Sequence, residues 1–411
     1  MLALSVGVGL GVLHELMEAE VDEVVGPKGR HDPDRAAVRH GHDSGEVTLG
    51  GRRVPVSRPR ARTADGDGEV GLDTYAHFAA RDRLSDVMLE RMLVGVSTRR
   101  YARAGEAVGT GIDEIARSTS KSAVSREFVS RTRETLVDLM SRPLADLRLA
   151  VVMLDGIELK GRCCVVAMGI DTDGVKHPLG LWDGSTENAT VATTLLANLV
   201  ERGLDVEQGV LVVLDGAKAL RKAVRDVFGT DTPVQRCQRH KERNVLDHLP
   251  EHQRDSVRRR LRGAWGLDDH DTALDRLRVL ADELARTDPG AAASLREGLE
   301  ETLTITRLGV TGRLKATLAS TNPCESMIET VRRISRNVKR WQNGDMCLRW
   351  TAAGMLEAEQ QFRRVIGHTD LPKLALAVEA DVAAKRAAPT PNPTPHQPAP
   401  TAAPEVATTA V

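Results

Sequence analysis

Several absences narrow the reading of this 411-residue chain. Its five cysteines, Cys163, Cys164, Cys237, Cys324 and Cys347, form no Cys-x-x-Cys pair and no regular framework, which fits a reducing cytosol and not a disulfide-stapled scaffold. The formal net charge is only −1, so no global basic field announces a nucleic-acid partner. Beyond the opening residues 2–13, no apolar run approaches the roughly 18 residues that a membrane span needs. That opening lacks a basic leader and a small-residue cleavage site, and it runs straight into Glu15, Glu18 and Glu20, unlike a signal peptide. Gly7, Gly9 and Gly11 make no dinucleotide fingerprint, because no strand–helix–strand pattern surrounds them. A cytoplasmic protein without membrane contact is expected.

The near-zero average hides clusters. Basic runs occur at Arg52-Arg53, Arg58-Pro-Arg60-Ala-Arg62, Arg258-Arg259-Arg260 and across residues 331–340. Local stripes matter more for phosphate binding than net charge, although each run taken alone also reads as a solvated helix face. From about Ala387 the chain is Ala, Pro and Thr, a composition with too little apolar bulk to fold.

Between these ends the pattern changes twice. Residues 46–56 read as a small hairpin around Gly50-Gly51. Residues 82–140 read as helical, with breaks near Gly95 and at Gly109-Thr-Gly111. Within them, a helix starting near Ser118 would place Lys121, Ser122, Ser125 and Arg126 on its first turns. Such a short polar and basic surface suits a recognition helix, and it equally suits an ordinary helical hairpin with a Ser-rich loop. From Arg148 the reading becomes strands 149–155, 163–170 and 176–182, helix 189–202, strand 210–214, helix 217–228 and strand 233–236. This order predicts a mixed five-stranded α/β sheet with hairpins on one side. After Lys241 the pattern is helical until Ser320, as an insertion or separate lobe would be.

Two aliphatic strands end in the same way, as Val151-Val-Met-Leu-Asp155-Gly156 and Val210-Leu-Val-Val-Leu-Asp215-Gly216. Asp-Gly is a common turn at strand ends. If the crossover places the fourth strand beside the first, however, both carboxylates emerge at one sheet edge, about 4.8 Å apart. Hard oxygen ligands so placed suit Mg²⁺ or Mn²⁺. A third acid stands in Ser320-Thr-Asn-Pro-Cys-Glu325, which opens a helix. With Asn322 as N-cap, Glu325 falls at N3, a capping-box position. Glu329 is a rival acid one turn later.

These residues carry a resemblance. Leu154-Asp-Gly156, Leu214-Asp-Gly-Ala-Lys-Ala-Leu220, Gln235-Arg-Cys-Gln-Arg-His-Lys-Glu-Arg-Asn244 and Ser320-Thr-Asn-Pro-Cys-Glu325, in this order, are similar to motifs of the Mutator-type transposases of bacterial insertion sequences. Gly95-Val-Ser-Thr-Arg99 and Glu201-Arg-Gly203 also match. The family usually has Ser where this chain has Leu214.

The resemblance implies a DDE transposase with an RNase H-like core, interrupted by an all-helical insertion and preceded by a mainly helical DNA-binding region. The implied divisions are an N-terminal region 1–80, a helix-turn-helix-like region 81–145, catalytic core 146–244, insertion 245–318, the rest of the core 319–378, and a disordered tail 379–411. It makes Asp155, Asp215 and Glu325 a metal-binding catalytic triad for two Mg²⁺ (or Mn²⁺) ions about 3.5–4 Å apart. His240 of Cys237-x-x-His240 would hydrogen-bond or protonate near the scissile phosphate. A zinc site and a purely structural Cys–His pair are the alternatives. Lys121, Ser122, Arg126, Arg236, Lys241 and Arg243 are the candidate DNA contacts. Trp265 is a candidate for stacking on an unpaired base, with core packing as the alternative. The implied partners are double-stranded DNA, as terminal inverted repeats and target, and a second copy of the chain on that DNA, in a bacterial, nucleoid-associated setting. The rival functions are an RNase H-like nuclease or resolvase and a catalytically idle DNA-binding protein.

Overall fold

The computed structural model describes residues 2–30, 35–49, 52–66, 68–101, 104, 120–159, 161–184 and 189–387. The Gly50-Gly51 turn, the Gly109–Gly111 break, Ser118 and residues 388–411 of the predicted tail lie outside them, whereas residues 379–387, expected in that tail, are helical.

Helix α1 (Leu2–Val25) carries Leu13, Met17, Val21 and Val25, one turn apart, on a single stripe. That stripe packs on β1 (Ala37–Leu49) and β2 (Arg52–Thr63), against Val47 and Ala61. β1 and β2 pair antiparallel from Leu49↔Arg52 to Ala37↔Thr63, far beyond the hairpin expected at 46–56. β3 (Glu69–Val70) adds a short third strand, and α2 (Asp73–Ala79) closes the unit. The N-terminal region therefore holds a long helix and a three-stranded sheet where only a small hairpin was predicted.

Helix α3 (Arg81–Leu93) ends before Gly95, which sits at φ +101. Helix α4 (Lys121–Ser141) starts from Ser120, whose side chain accepts a hydrogen bond from the Ala123 N–H at 3.2 Å. Its inner face, with Val124 and Phe128, is buried, and the Phe128 ring lies 4.7 Å from that of Trp350. Lys121, Ser122 and Arg126 remain exposed on the first turns. The predicted recognition helix is thus docked along one face on the body of the protein, with its outer face exposed from the first turns onward.

The central sheet has the order β6-β5-β4-β7-β8. β4 (Leu149–Glu158), β5 (Cys163–Asp171) and β6 (Lys176–Gly184) run antiparallel. After α5 (Ala189–Glu201), β7 (Leu211–Leu214) pairs parallel with β4. After α6 (Lys218–Phe228), β8 (Val234–Arg236) pairs parallel with β7. The strands read as unbroken apolar runs because both faces are covered. Val152, Leu154, Val212 and Leu214 point toward α5 and α6, into a core with Leu195, Leu199 and Val224. Val151, Met153, Ile157, Leu211 and Val213 point the other way. The period of two puts Asp155 on this second face.

Helices α7 (Gln238–Asp247), α8 (Glu251–Trp265), α9 (His270–Thr287), α10 (Pro289–Arg296), α11 (Thr304–Arg307) and α12 (Gly312–Leu318) follow, and residues 245–318 contain no strand. Most of them share a core of their own around Leu261, Leu277, Ala281 and Leu295. Trp265 belongs to that core. It is 5% exposed, and its indole N–H donates to Thr302 Oγ1 at 3.0 Å. Packing therefore accounts for this residue, and the base-stacking expectation is withdrawn. Helices α13 (Asn322–Ser335), α14 (Gly344–Gln360) and α15 (Leu371–Ala387) return to cover the second face of the sheet through Met327, Val331, Met355 and Val378. Among the described residues, no helix is long and apolar enough to cross a membrane.

Candidate active site

The parallel registers Leu154↔Leu214 and Leu214↔Arg236 put Asp155, Asp215 and Cys237 in the next row, across three adjacent strands. The Cys237 N–H extends that ladder by donating to the Leu214 carbonyl at 2.8 Å. Asp155 was expected to end its strand, but β4 continues to Glu158 because β5 stays paired past it, with Asp155↔Val166 and Gly156↔Val165. β7 and β8 both stop at this level. Asp155 therefore sits on a rigid strand beside the open end of its parallel neighbour.

Asp215 is held differently. Its Oδ1 accepts from the Ala217 N–H at 2.8 Å, and Gly216 takes φ +104. A Cβ at Gly216 would also run into the Arg236 guanidinium. This glycine makes a true turn, whereas Gly156 remains in strand.

Glu325 comes from the first turn of α13. Thr321, not Asn322 as expected, stands at the N-cap position, without a side-chain capping bond, so Glu325 lies one position deeper than the capping box requires. Thr321 Oγ1 donates to Glu325 Oε1 at 3.0 Å, and Thr321 is fully buried. The side chain of the cap thus orients the carboxylate. Thr321 was quoted in the sequence motif without a role, and its position four residues before Glu325 was the available signal.

Asp155, His240, Arg243, Glu325, Glu329 and Arg332 line one cavity of about 520 Å³. Asp155 is 6% exposed, and burial pushes its carboxyl up to about 6, assisted by the charges of Asp215 and Glu325. The Gly156 N–H, donating to Asp155 Oδ1 at 2.8 Å, opposes that rise only in part. His240 is raised to about 9 by its side-chain interaction with Cys237. Burial opposes the rise, and Asp155 and Asp215 add to it. One ligand atom each of Cys237, His240 and Glu325 lies within 4.8 Å of the others, although His240 Nδ1 has no hydrogen-bond partner of normal geometry. This mixed thiol–imidazole–carboxylate group lacks the fourth ligand of a structural zinc site, whereas Asp155 and Asp215 reach the same region only through the charge they share with Glu325 and His240.

Two predicted DNA contacts are corrected. Arg236 is 5% exposed and donates to the carbonyls of Gly216 and Glu297. Lys241 is 1% exposed and donates to the carbonyls of Ser294 and Glu297. Both brace the helical block against the sheet and cannot reach a phosphate. Arg243 is exposed at the cavity rim. Arg332, from the basic run at 331–340, joins it there.

The family model described as transposase, Mutator family, matches residues 6–365. The chain belongs to the Mutator family of transposases. It is 28% identical over 375 residues to the transposase for insertion sequence element ISRM5 of Rhizobium meliloti (strain 1021), covering 89% of this chain and 92% of that one. It is 27% identical over 367 residues to the transposase for IS256 in transposon Tn4001 of Staphylococcus aureus, covering 85% and 89%. It is 29% identical over 256 residues to the transposase for IS6120 of Mycolicibacterium smegmatis, covering 61% and 76%.

Proposed function

We propose that this Mutator-family transposase is a DDE enzyme that cuts and joins DNA at the ends of its own insertion sequence. The observation that carries the reading is the convergence of Asp155, the Asp215 turn and Glu325, with Asp155 pushed up by burial and by the other two carboxylates. Three acids whose only neighbouring cation is His240, with no salt bridge to Arg or Lys among the described residues, suit divalent cations. Two Mg²⁺ or Mn²⁺ ions held by Asp155, Asp215 and Glu325 would supply Lewis-acid activation of the attacking hydroxyl and stabilisation of the leaving oxygen. The protein's own contribution is positional. β4 and the Gly216 turn fix two carboxylates, Thr321 orients the third, and Arg243 and Arg332 at the rim hold scissile-strand phosphates. His240, protonated at neutral pH, donates a hydrogen bond or proton toward the leaving oxygen.

The sheet order, three antiparallel strands followed by two parallel ones, supports an RNase H-like core, with 245–318 as its insertion. Action as a homodimer on two element ends, cytoplasmic and nucleoid-associated, belongs to the same proposal. A nuclease or resolvase on this core would cut without joining, and an idle DNA-binding descendant would do neither. Incubating the protein with Mg²⁺ and duplexes bearing candidate element ends separates them. Joined products that vanish in Asp155→Asn and Asp215→Asn support the proposal; cleavage without joining by the wild type refutes it.

A further inference from the structure

The exposed face of α13 runs from Glu325 past Glu329 to Arg332 and Arg333, and Arg336 follows at its C-cap. Lys339 and Arg340 continue beyond the helix. All five cations are exposed, and among the described residues none takes part in an ion pair or side-chain hydrogen bond. Five arginines of the helical block behave differently, although Arg259, Arg276 and Arg286 there also lack an ion pair among the described residues. Arg258, Arg260, Arg262, Arg278 and Arg296 each pair with an acid. Cations in the last turn of a helix do complement its dipole. That effect explains neither Lys339 and Arg340, which lie past the helix, nor why the whole run is left unneutralised.

The near end of this run is the catalytic cavity, where Arg332 faces Arg243. From Glu325 to Arg336 the helix rises about 16 Å. The far end abuts the segment leading to the N-terminal region. Asn337 Nδ2 donates to the Gly95 carbonyl at 2.8 Å, and Ile334 and Val338 pack with Tyr101 and Val96. Arg99 and Arg100, exposed in that segment, prolong the charge.

We infer that Arg332, Arg333, Arg336, Lys339 and Arg340 form a track for the DNA phosphate backbone, leading from the catalytic cavity along α13 toward the N-terminal region. The inference rests on the DNA-acting reading above. The track contacts phosphates and not bases, so it serves any duplex equally.

The test is the binding of full-length protein to a duplex of about 30 base pairs of arbitrary sequence, in EDTA, by fluorescence anisotropy at several salt concentrations. Neutralising three phosphate contacts in Arg332→Gln/Arg333→Gln/Arg336→Gln should make the slope of log K against log salt shallower by about 2.7, at 0.9 per contact. Arg258→Gln/Arg260→Gln/Arg262→Gln, with equal charge removed from paired positions, should keep the wild-type slope. An unchanged slope in the first variant, or an equal loss in the second, overturns the track. Single Arg336→Gln, at the helix end, should cost about 0.9 and serves if the triple variant fails to fold. The two readings fail separately. A shallower slope in a protein whose wild type never joins strands with Mg²⁺ keeps the track and sinks the DDE chemistry. An unchanged slope beside active strand joining does the reverse.

Discussion

Asp155→Asn should make the metal-free protein more stable at neutral pH, although it removes a candidate catalytic residue. A carboxyl moved from its ordinary 3.8 to about 6 costs the ionised native state about 3 kcal/mol, at 1.36 kcal/mol per pH unit. Asparagine keeps a side-chain oxygen for the Gly156 N–H and removes the charge. The sign follows from proton binding. Between pH 3.8 and about 6 the native state holds a proton that the unfolded chain has released. Stability therefore falls as pH rises through that window, and the whole penalty is present above it. Urea unfolding in EDTA should show Asp155→Asn ahead by about 3 kcal/mol near neutral pH, with the gap closing toward pH 4. Magnesium should then nearly close the gap, because an ion at 100 times its Kd adds about 2.7 kcal/mol to the wild type and little to the variant. Equal stabilities in EDTA near pH 7.5, or a gap that does not vary with pH, would refute the picture of crowded carboxylates.

Further expectations follow from single contacts. Glu325→Gln should retain fold and DNA binding while strand joining drops by orders of magnitude, whereas Glu329→Gln should stay active; near-normal joining by Glu325→Gln would remove it from the triad. Thr321→Val deletes the hydroxyl donor to Glu325 and should lower joining rates, with a loss of about 1 kcal/mol of stability by urea titration. Gly216→Ala, at φ +104 with the Arg236 guanidinium in the way, should destabilise by about 2 kcal/mol or more and reduce activity. Trp265→Phe loses the bond to Thr302 and should cost about 1–2 kcal/mol in thermal unfolding, with DNA affinity unchanged; weakened DNA binding would restore the stacking role.

Much of the catalytic half was legible because its physics is local. An aliphatic run covered on both faces, a turn glycine and a helix start all leave marks in a few adjacent residues. What failed depended on neighbours remote in sequence. Asp155 was expected at a strand end, yet β5 holds β4 in register beyond it. Arg236, Lys241 and Arg243 looked like one basic cluster. The phase of α7 separates them, since Cys237, Lys241 and Val245 share the buried stripe while Arg239 and Arg243 face out. That stripe was visible as a spacing of four and went unread because the lysine looked wrong for a core. The carbonyls that accept its ammonium come from residues 294 and 297, which no local pattern could supply.

Those two buried cations decide what the smallest working fragment can be. The Glu297 carbonyl receives both Arg236 and Lys241, and Arg236 also grips the carbonyl of Gly216, immediately after Asp215. Excising residues 245–318 would strand two interior charges, at about 3–5 kcal/mol for each broken partner set, enough to consume most of the stability of an ordinary domain. The helical block and the Asp215 turn should accordingly unfold as one cooperative unit, and hydrogen exchange should report the same opening free energy for Leu214 and Leu295. A trimmed enzyme that keeps the three acids and discards the block loses the clamp that sets where one of them points.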